Sequence, residues 1–436
     1  MSVQSLSAAE GVTLMFLVMS FVLVGVVRIL QRRRPGLDIM TPVAVAVVVR
    51  ILAVIAINAT GKAAQLRGGD ETTFLDYAHT LAATSWGHGW FPHGIYQLQT
   101  VIFAAQLKAL SLTPTAMRMT QIGIAVLGLV LIIVSVYELA GPRAARFLAW
   151  ILAFEPSNVF FNSEIHKEPV MVLASGLVVF GGTKLWKRFD LKGGVWPCVL
   201  GSVIAIETRA YAGWFLVIAA VFILLHSALK RLDRPLLALP IVYTVLGAAL
   251  LLTPTLLHIT SKGNLAKLQA DQSYTTQTQA SANSGGANGD NLALEDVNFS
   301  TRGAVLSNLP VRMLDLITRP YPWQISDISQ QLGAFSTLLA YGGIVLLLRY
   351  AWRVKRRAFG LIVPLLYPMF FLLAAYSLSA GNAGTGFRYR SHIVILLAAM
   401  LAVVRSHVLE AEEESSPVEE GEFVDDLGPH RILQPA

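Results

Sequence analysis

An all-α, polytopic transmembrane helical bundle with outer-face juxtamembrane helices is the fold class that this sequence predicts. Three observations predict the bundle. Hydrophobic residues make up 54% of the 436 positions and charged residues only 14%, where a soluble domain carries roughly a quarter charged. Mean hydropathy is +0.58. Repeated apolar runs approach or exceed the ~18–20 residues that a helix needs to cross a bilayer.

Eleven spans are expected: 12–31, 41–58, 118–140, 143–159, 168–186, 194–208, 210–229, 235–257, 332–350, 359–378 and 389–406. A further apolar stretch, 96–111, is short and carries Gln97, Gln99, Gln106 and Lys108, so it reads as an interfacial helix. The first run has its basic flank on the C-terminal side, the reverse of a signal peptide, and is expected to be a retained helix.

The formal charge of +7 is unevenly spread: the segment from His407 to Ala436 holds nine of the 27 acids and one of the 34 Lys and Arg. Elsewhere the basic residues gather in short loops: Arg32-Arg33-Arg34, Arg143 with Arg146, Lys187-Arg188 with Lys192, Lys230-Arg231 with Arg234, and Arg349 through Arg357. Short basic loops are retained on the cytoplasmic side. The eleven spans satisfy that rule at every step, with the N-terminus outside and the C-terminus inside. The basic runs are therefore read as topology and contact with anionic lipid, and no nucleic-acid partner is expected. Cys198 is the single cysteine, which excludes an internal disulfide; in an apolar run it serves as a small hydrophobe.

The segments left for the outer face are 59–117, 160–167, the bend at Glu207 to Arg209, 258–331 and 379–388. The middle of the longest, Thr275 to Asn291, is rich in Gln, Ser, Thr, Asn and Gly and is expected to be mobile. Its later part, with Leu309-Pro310, Leu314, Ile317 and Pro320-Tyr321-Pro322-Trp323, reads as a segment docking at the membrane interface. Residues 1–406 form the expected transmembrane domain, with an acidic outer loop at 59–117 and a large outer loop at 258–331. Residues 407–436 are expected to be a disordered acidic cytoplasmic tail. No internal repeat, P-loop, metal cluster or dinucleotide-binding signature is present.

The outer face carries four polar constellations. In Gly68-Gly69-Asp70-Glu71 the glycines allow close backbone approach, and Phe74, Tyr77, Ala78 and Leu81 follow at helical spacing. A carboxylate at a helix start is favoured by the dipole and can accept a proton from a hydroxyl or orient a cation. Asp70 and Glu71 are thus the catalytic candidates, and the acids to hold a divalent metal if one takes part; Asp76 is expected to be an exposed helix position. The second constellation is Glu164-Ile165-His166-Lys167-Glu168-Pro169, in which Pro169 suits a first helical turn. Positive charge at an outer edge needs a counter-charge, so Lys167 is expected to face an acid or a substrate phosphate. Third, Glu207-Thr208-Arg209-Ala210-Tyr211 sits where two apolar runs meet, with a Glu207–Arg209 pair as the structural alternative to anion binding by Arg209. Last, Gly384-Thr385-Gly386-Phe387-Arg388-Tyr389-Arg390 offers two arginines on different helix faces, and arginine suits bidentate phosphate binding.

With Gly69-Asp70-Glu71, Phe74, Tyr77-Ala78, the Pro156–Pro169 turn and Phe387-Arg388-Tyr389-Arg390 in view, the chain resembles the GT-C superfamily of membrane glycosyltransferases, such as the protein O-mannosyltransferases and aminoarabinose transferases. The Pro320-Tyr321-Pro322-Trp323 segment is similar to one in membrane proteins of bacterial polysaccharide clusters. The resemblance implies a polyprenyl-phosphate sugar donor, a glycan, lipid or protein acceptor, and a site on the extracytoplasmic face of a bacterial plasma membrane. It implies Asp70 as base or acceptor-orienting group with Glu71 as its partner. Substrate binding would fall to Glu164, His166, Lys167, Arg209, Tyr211, Arg388 and Arg390. No other cofactor is implied. The sequence departs from the family's pattern in an additional leading helix and in lacking a C-terminal extracytoplasmic domain. Competing expectations are a polysaccharide polymerase or ligase of another fold, a lipid-sugar transporter, and a scaffold with a degenerate site.

Overall fold

The computed structural model describes residues 7–60, 69–231, 240, 244, 269–270, 298–319, 321, 328–355, 357–380 and 383–415. The expected span at 235–257 apart from Pro240 and Thr244, the middle of the large loop, Pro320, Pro322-Trp323 and residues 416–436 lie outside them. The described residues are helical and contain no β-strand. In chain order the helices are α1 (Ala8–Arg32), α2 (Met40–Ala59), α3 (Gly69–Ala83), α4 (Leu98–Leu110), α5 (Pro114–Phe154), α6 (Pro156–Phe161) and α7 (Glu168–Arg188). There follow α8 (Leu191–Thr208), α9 (Ala210–Leu229), α10 (Arg302–Thr318), α11 (Ile328–Val354), α12 (Arg357–Ser379) and α13 (Ala383–Ser415). Among the described residues, eight helices are long and apolar enough to cross a membrane: α1, α2, α5, α7, α9, α11, α12 and α13. The protein is an all-α polytopic membrane protein.

Helix α5 is two arms rather than one rod. Ala140 and Gly141 leave helical geometry, Gly141 with φ of +81°, and Pro142 starts the second arm. A straight helix would separate Leu129 from Leu152 by about 35 Å, yet both line one small cavity with Val43 and Ala46 of α2. The chain therefore folds back on itself at Gly141, in agreement with the break expected between 118–140 and 143–159. The second arm stops at Phe154, short of 159, because Glu155 and Pro156 cap and start the new helix α6.

Helix α7 is central, and small residues let its neighbours approach. A Cβ on Gly176 would lie 2.5 Å from the Gly128 carbonyl oxygen, and one on Gly128 would lie 2.6 Å from the Leu173 backbone nitrogen. On the facing helix, Gly194 abuts Leu185 and Gly201 abuts Ala174, so α8 runs antiparallel to α7 along its length. Without a hydrophobic drive between helices in lipid, such backbone proximity supplies the packing attraction.

The two ends of the bundle differ in chemistry. At one end lie the described parts of all five basic loops, tied by Arg34–Glu138 at 2.9 Å, Arg143–Glu413 at 2.7 Å and Arg353–Glu412 at 2.6 Å. The last helix reaches this end and stays helical to Ser415, so the first nine residues of the expected disordered tail are ordered helix. At the opposite end, α3 and α4 form a hairpin whose Phe74, Ala78, Leu81 and Phe103 pack on Ala116 and Met117 of α5 and on Ile165. The stretch expected as an interfacial helix is thus α4, half of that hairpin.

Candidate functional site

The buried arginines, glutamates and histidines among the described residues are Arg50, Glu71, Arg118, Glu155, Glu164, His166, Glu168, Arg209, Arg312, Arg390 and His392. All belong to the hairpin end or, in the case of Arg50, reach toward it. Burying this much charge needs partners, and each partnership shows how the end is built.

Arg118 joins the first pair of predicted segments. Its guanidinium holds Glu71 of α3 and, through Nε, Glu164 of the 162–167 turn at 2.7 Å. The acidic loop and the second constellation are thereby fixed to the start of α5. Lys167 adds a second link, its ammonium lying 5.3 Å from the centroid of the Phe74 ring. Asp70 precedes Glu71 in α3, so its backbone stands one residue from the Arg118 clamp.

Arg209 joins the third and fourth. It pairs with Glu168, the first residue of α7, at 2.6 Å. Burial pulls the Arg209 guanidinium down, but the facing Glu168 carboxylate together with Tyr211, Tyr389 and Tyr376 outweighs burial and holds it well above its usual value. Glu207 is not the partner. The guanidinium also lies 4.6 Å from the centroid of the Tyr389 ring, whose hydroxyl is 2.8 Å from that of Tyr211. Tyr376 stacks on Tyr389 and meets His392 at 3.2 Å, while His392 Nε2 lies 3.3 Å from the Glu168 carbonyl oxygen. The Glu168 carboxylate is also within the electrostatic reach of His166 and Arg388.

Other buried charges serve helix ends. Arg390 donates to the carbonyls of Ile317 and Arg319 at the end of α10, and Arg50 donates to Leu152, near the end of α5, at 3.3 Å. Both place a cation where unsatisfied carbonyls concentrate. Glu155 does the reverse: it accepts from the Ser157 and Asn158 amides that start α6 and from the Ser336 hydroxyl of α11 at 2.7 Å. Of the two arginines singled out in α13, Arg390 is thus a structural cap, and the half-buried Arg388 is the one near Glu168.

Glu71, Glu164, His166, Lys167, Arg209, Tyr211 and Arg388 come together at one end, and Asp76 is exposed. Sequence reasoning missed Arg118, Glu155, His392, Arg312 and Arg50. For Arg50 and Arg118 a signal was present: each is an arginine inside or at the edge of an expected span, where a charge is functional or structural by default.

These features define a helical membrane protein with a buried charge cluster at one end. Arg118, Arg209, Arg312 and Arg390 stand there against Glu71, Glu155, Glu164 and Glu168, so the buried arginines and glutamates of this end balance, with Arg50 reaching toward them. Compared with protein-family models, curated proteins and solved structures, the chain matches none.

Proposed function

We propose that the protein is a membrane glycosyltransferase that moves a sugar from a polyprenyl-phosphate-linked donor to an acceptor hydroxyl at the extracytoplasmic membrane edge. The observation that carries this reading is the convergence of the acidic α3 start with Lys167, Arg209 and Arg388 at one bundle end. In the proposed reaction Asp70 takes or orients the acceptor proton, and the hydroxyl oxygen attacks the anomeric carbon. The bond from that carbon to the phosphate oxygen breaks, and the lipid phosphate leaves with the electron pair. A phosphate leaving group needs charge stabilisation more than a proton donor. Lys167 and Arg388, both half-buried, are assigned to it. Single in-line attack inverts the anomeric centre.

Two roles are revised. Arg209 is engaged by Glu168 and acts as part of a neutral pair that shapes the site. Glu71 is engaged by Arg118, so it positions α3, and a divalent cation at Asp70 and Glu71 would have to compete with a guanidinium. The extracytoplasmic assignment is supported by the five basic loops at the far end, which the positive-inside rule puts in the cytoplasm. A transporter is less well supported, because it would carry ionisable groups near the midplane of several helices. A polymerase or ligase using the same donors shares the charge pattern. Purified Asp70→Asn protein given a polyprenyl-phosphate sugar tests the base assignment: transfer is expected to collapse, and unchanged transfer removes Asp70 from the reaction.

A further inference from the structure

The α3–α4 hairpin ends in a turn with a distinctive surface. From Thr84 to Gln97 the chain holds Trp86, Trp90, Phe91, Ile95 and Tyr96, and no Asp, Glu, Asn, Lys or Arg. Three of these apolar side chains face outward: Trp86 is 59% exposed, Phe91 69% and Ile95 54%. The turn has its own framework. His93 and Tyr96 exchange two backbone hydrogen bonds of 2.9 Å, and His93 Nδ1 lies 2.6 Å from the Phe91 carbonyl oxygen.

The turn is also held firmly to the bundle. Lys108 of α4 donates to the Ala82 and Thr84 carbonyls at 2.9 and 2.5 Å, capping the end of α3. The same ammonium lies 5.7 and 5.8 Å from the centroids of the Trp86 and Trp90 rings, which are 4.1 Å apart. Three residues after Leu110 the chain enters α5, a membrane-length helix. The exposed side chains are therefore carried by an element that lies at the bundle end opposite the basic loops and leads directly into a membrane-length helix.

We infer that the 84–97 turn inserts into the headgroup region of the bilayer that the bundle spans. Trp and Tyr favour that layer, and Phe91 and Ile95 gain by leaving water. A segment without carboxylates enters without desolvating an acid. A sugar ring would also stack on tryptophan, but the turn offers no carboxylate to accept from its hydroxyls, only His88, His93, Gln97 and the hydroxyls of Thr84, Ser85 and Tyr96. Lipid is the better match. One consequence rests on the proposed reaction: α3, which begins at Asp70 and Glu71, is then pinned by Arg118 at its start and by lipid at its end. The insertion itself does not depend on that reaction.

The test is a depth measurement on the full chain in lipid nanodiscs. With Cys198→Ala as background, Phe91→Cys and separately Trp86→Cys are labelled with an environment-sensitive fluorophore. Blue-shifted emission, loss of intensity with nitroxide lipids labelled near the headgroup, and shielding from aqueous iodide are expected at both positions. Water-like emission with full iodide quenching at both positions would overturn the inference. A saturable response to a soluble oligosaccharide without nitroxide quenching would also overturn it, and would make the turn a glycan surface. Neither measurement reads transfer activity, so failure here is distinct from failure of the proposed reaction.

Discussion

Glu168 at the start of α7 and Arg209 at the junction of α8 and α9 form a buried ion pair 2.6 Å long, with side chains 0% and 6% exposed. It closes the three central helices at the site end. Removing one partner of such a pair strands a charge and costs about 3–5 kcal/mol, whereas removing both is far milder. Arg209→Met is therefore expected to lower the thermal midpoint in detergent by more than the Glu168→Leu/Arg209→Met double variant does. A double variant as unstable as the single would show that the pair's geometry matters more than its charge.

Arg118 is the second such element, and its fork is what reaches two carboxylates at once. Lysine offers a point charge and cannot span both. Arg118→Lys is expected to raise hydrogen exchange across α3, residues 69–83, while the amides of α7 and α8 keep their protection. Unchanged exchange in α3 would mean that its apolar face, Phe74, Ala78 and Leu81, holds it without the ion pair.

The crossing of α5 and α7 is a backbone contact at Gly128 and Gly176. Gly176→Leu is expected to force the helices apart and to lower the thermal midpoint, since overpacking costs ~1–3 kcal/mol or more. Gly343→Ala is the control: its added Cβ meets only Leu397, at 3.6 Å, and removing a helical glycine favours the fold by up to about 1 kcal/mol.

At the far end the ion pairs are of another kind. Arg143–Glu413 has side chains 75% and 62% exposed, and Arg353–Glu412 has 43% and 55%. Exposed pairs contribute roughly 0–1 kcal/mol and are screened by salt. Glu412→Ala and Glu413→Ala are expected to leave the midpoint nearly unchanged in high salt, in contrast to Arg209→Met.

Much of the architecture was legible from one-dimensional pattern. Apolar run length predicted a polytopic helical protein, of whose eleven expected spans the described residues supply eight membrane-length helices; the basic loops fall together at one end, and the spacing of Phe74, Ala78 and Leu81 predicted the buried face of α3. The pairings were less legible because they join distant elements. The local sequence suggests anion binding by Arg209, with a Glu207 pair as the alternative; the partner comes instead from α7, toward which the non-helical backbone at Arg209 turns its side chain. Glu71 found Arg118 across 47 residues of chain, a relation that only the packing of the hairpin on α5 creates. Helix caps such as Arg390 on α10 are invisible for the same reason: the carbonyls they satisfy belong to another element.

The proposed reaction transfers sugar from a lipid phosphate at the charged end of the bundle. The most direct measurement is reaction of the purified full chain, in proteoliposomes, with a radiolabelled polyprenyl-phosphate sugar and an acceptor glycan. A new glycosidic bond of inverted configuration with stoichiometric release of polyprenyl phosphate is expected, both lost in Asp70→Asn. Net movement of the intact donor between leaflets without bond formation would contradict it.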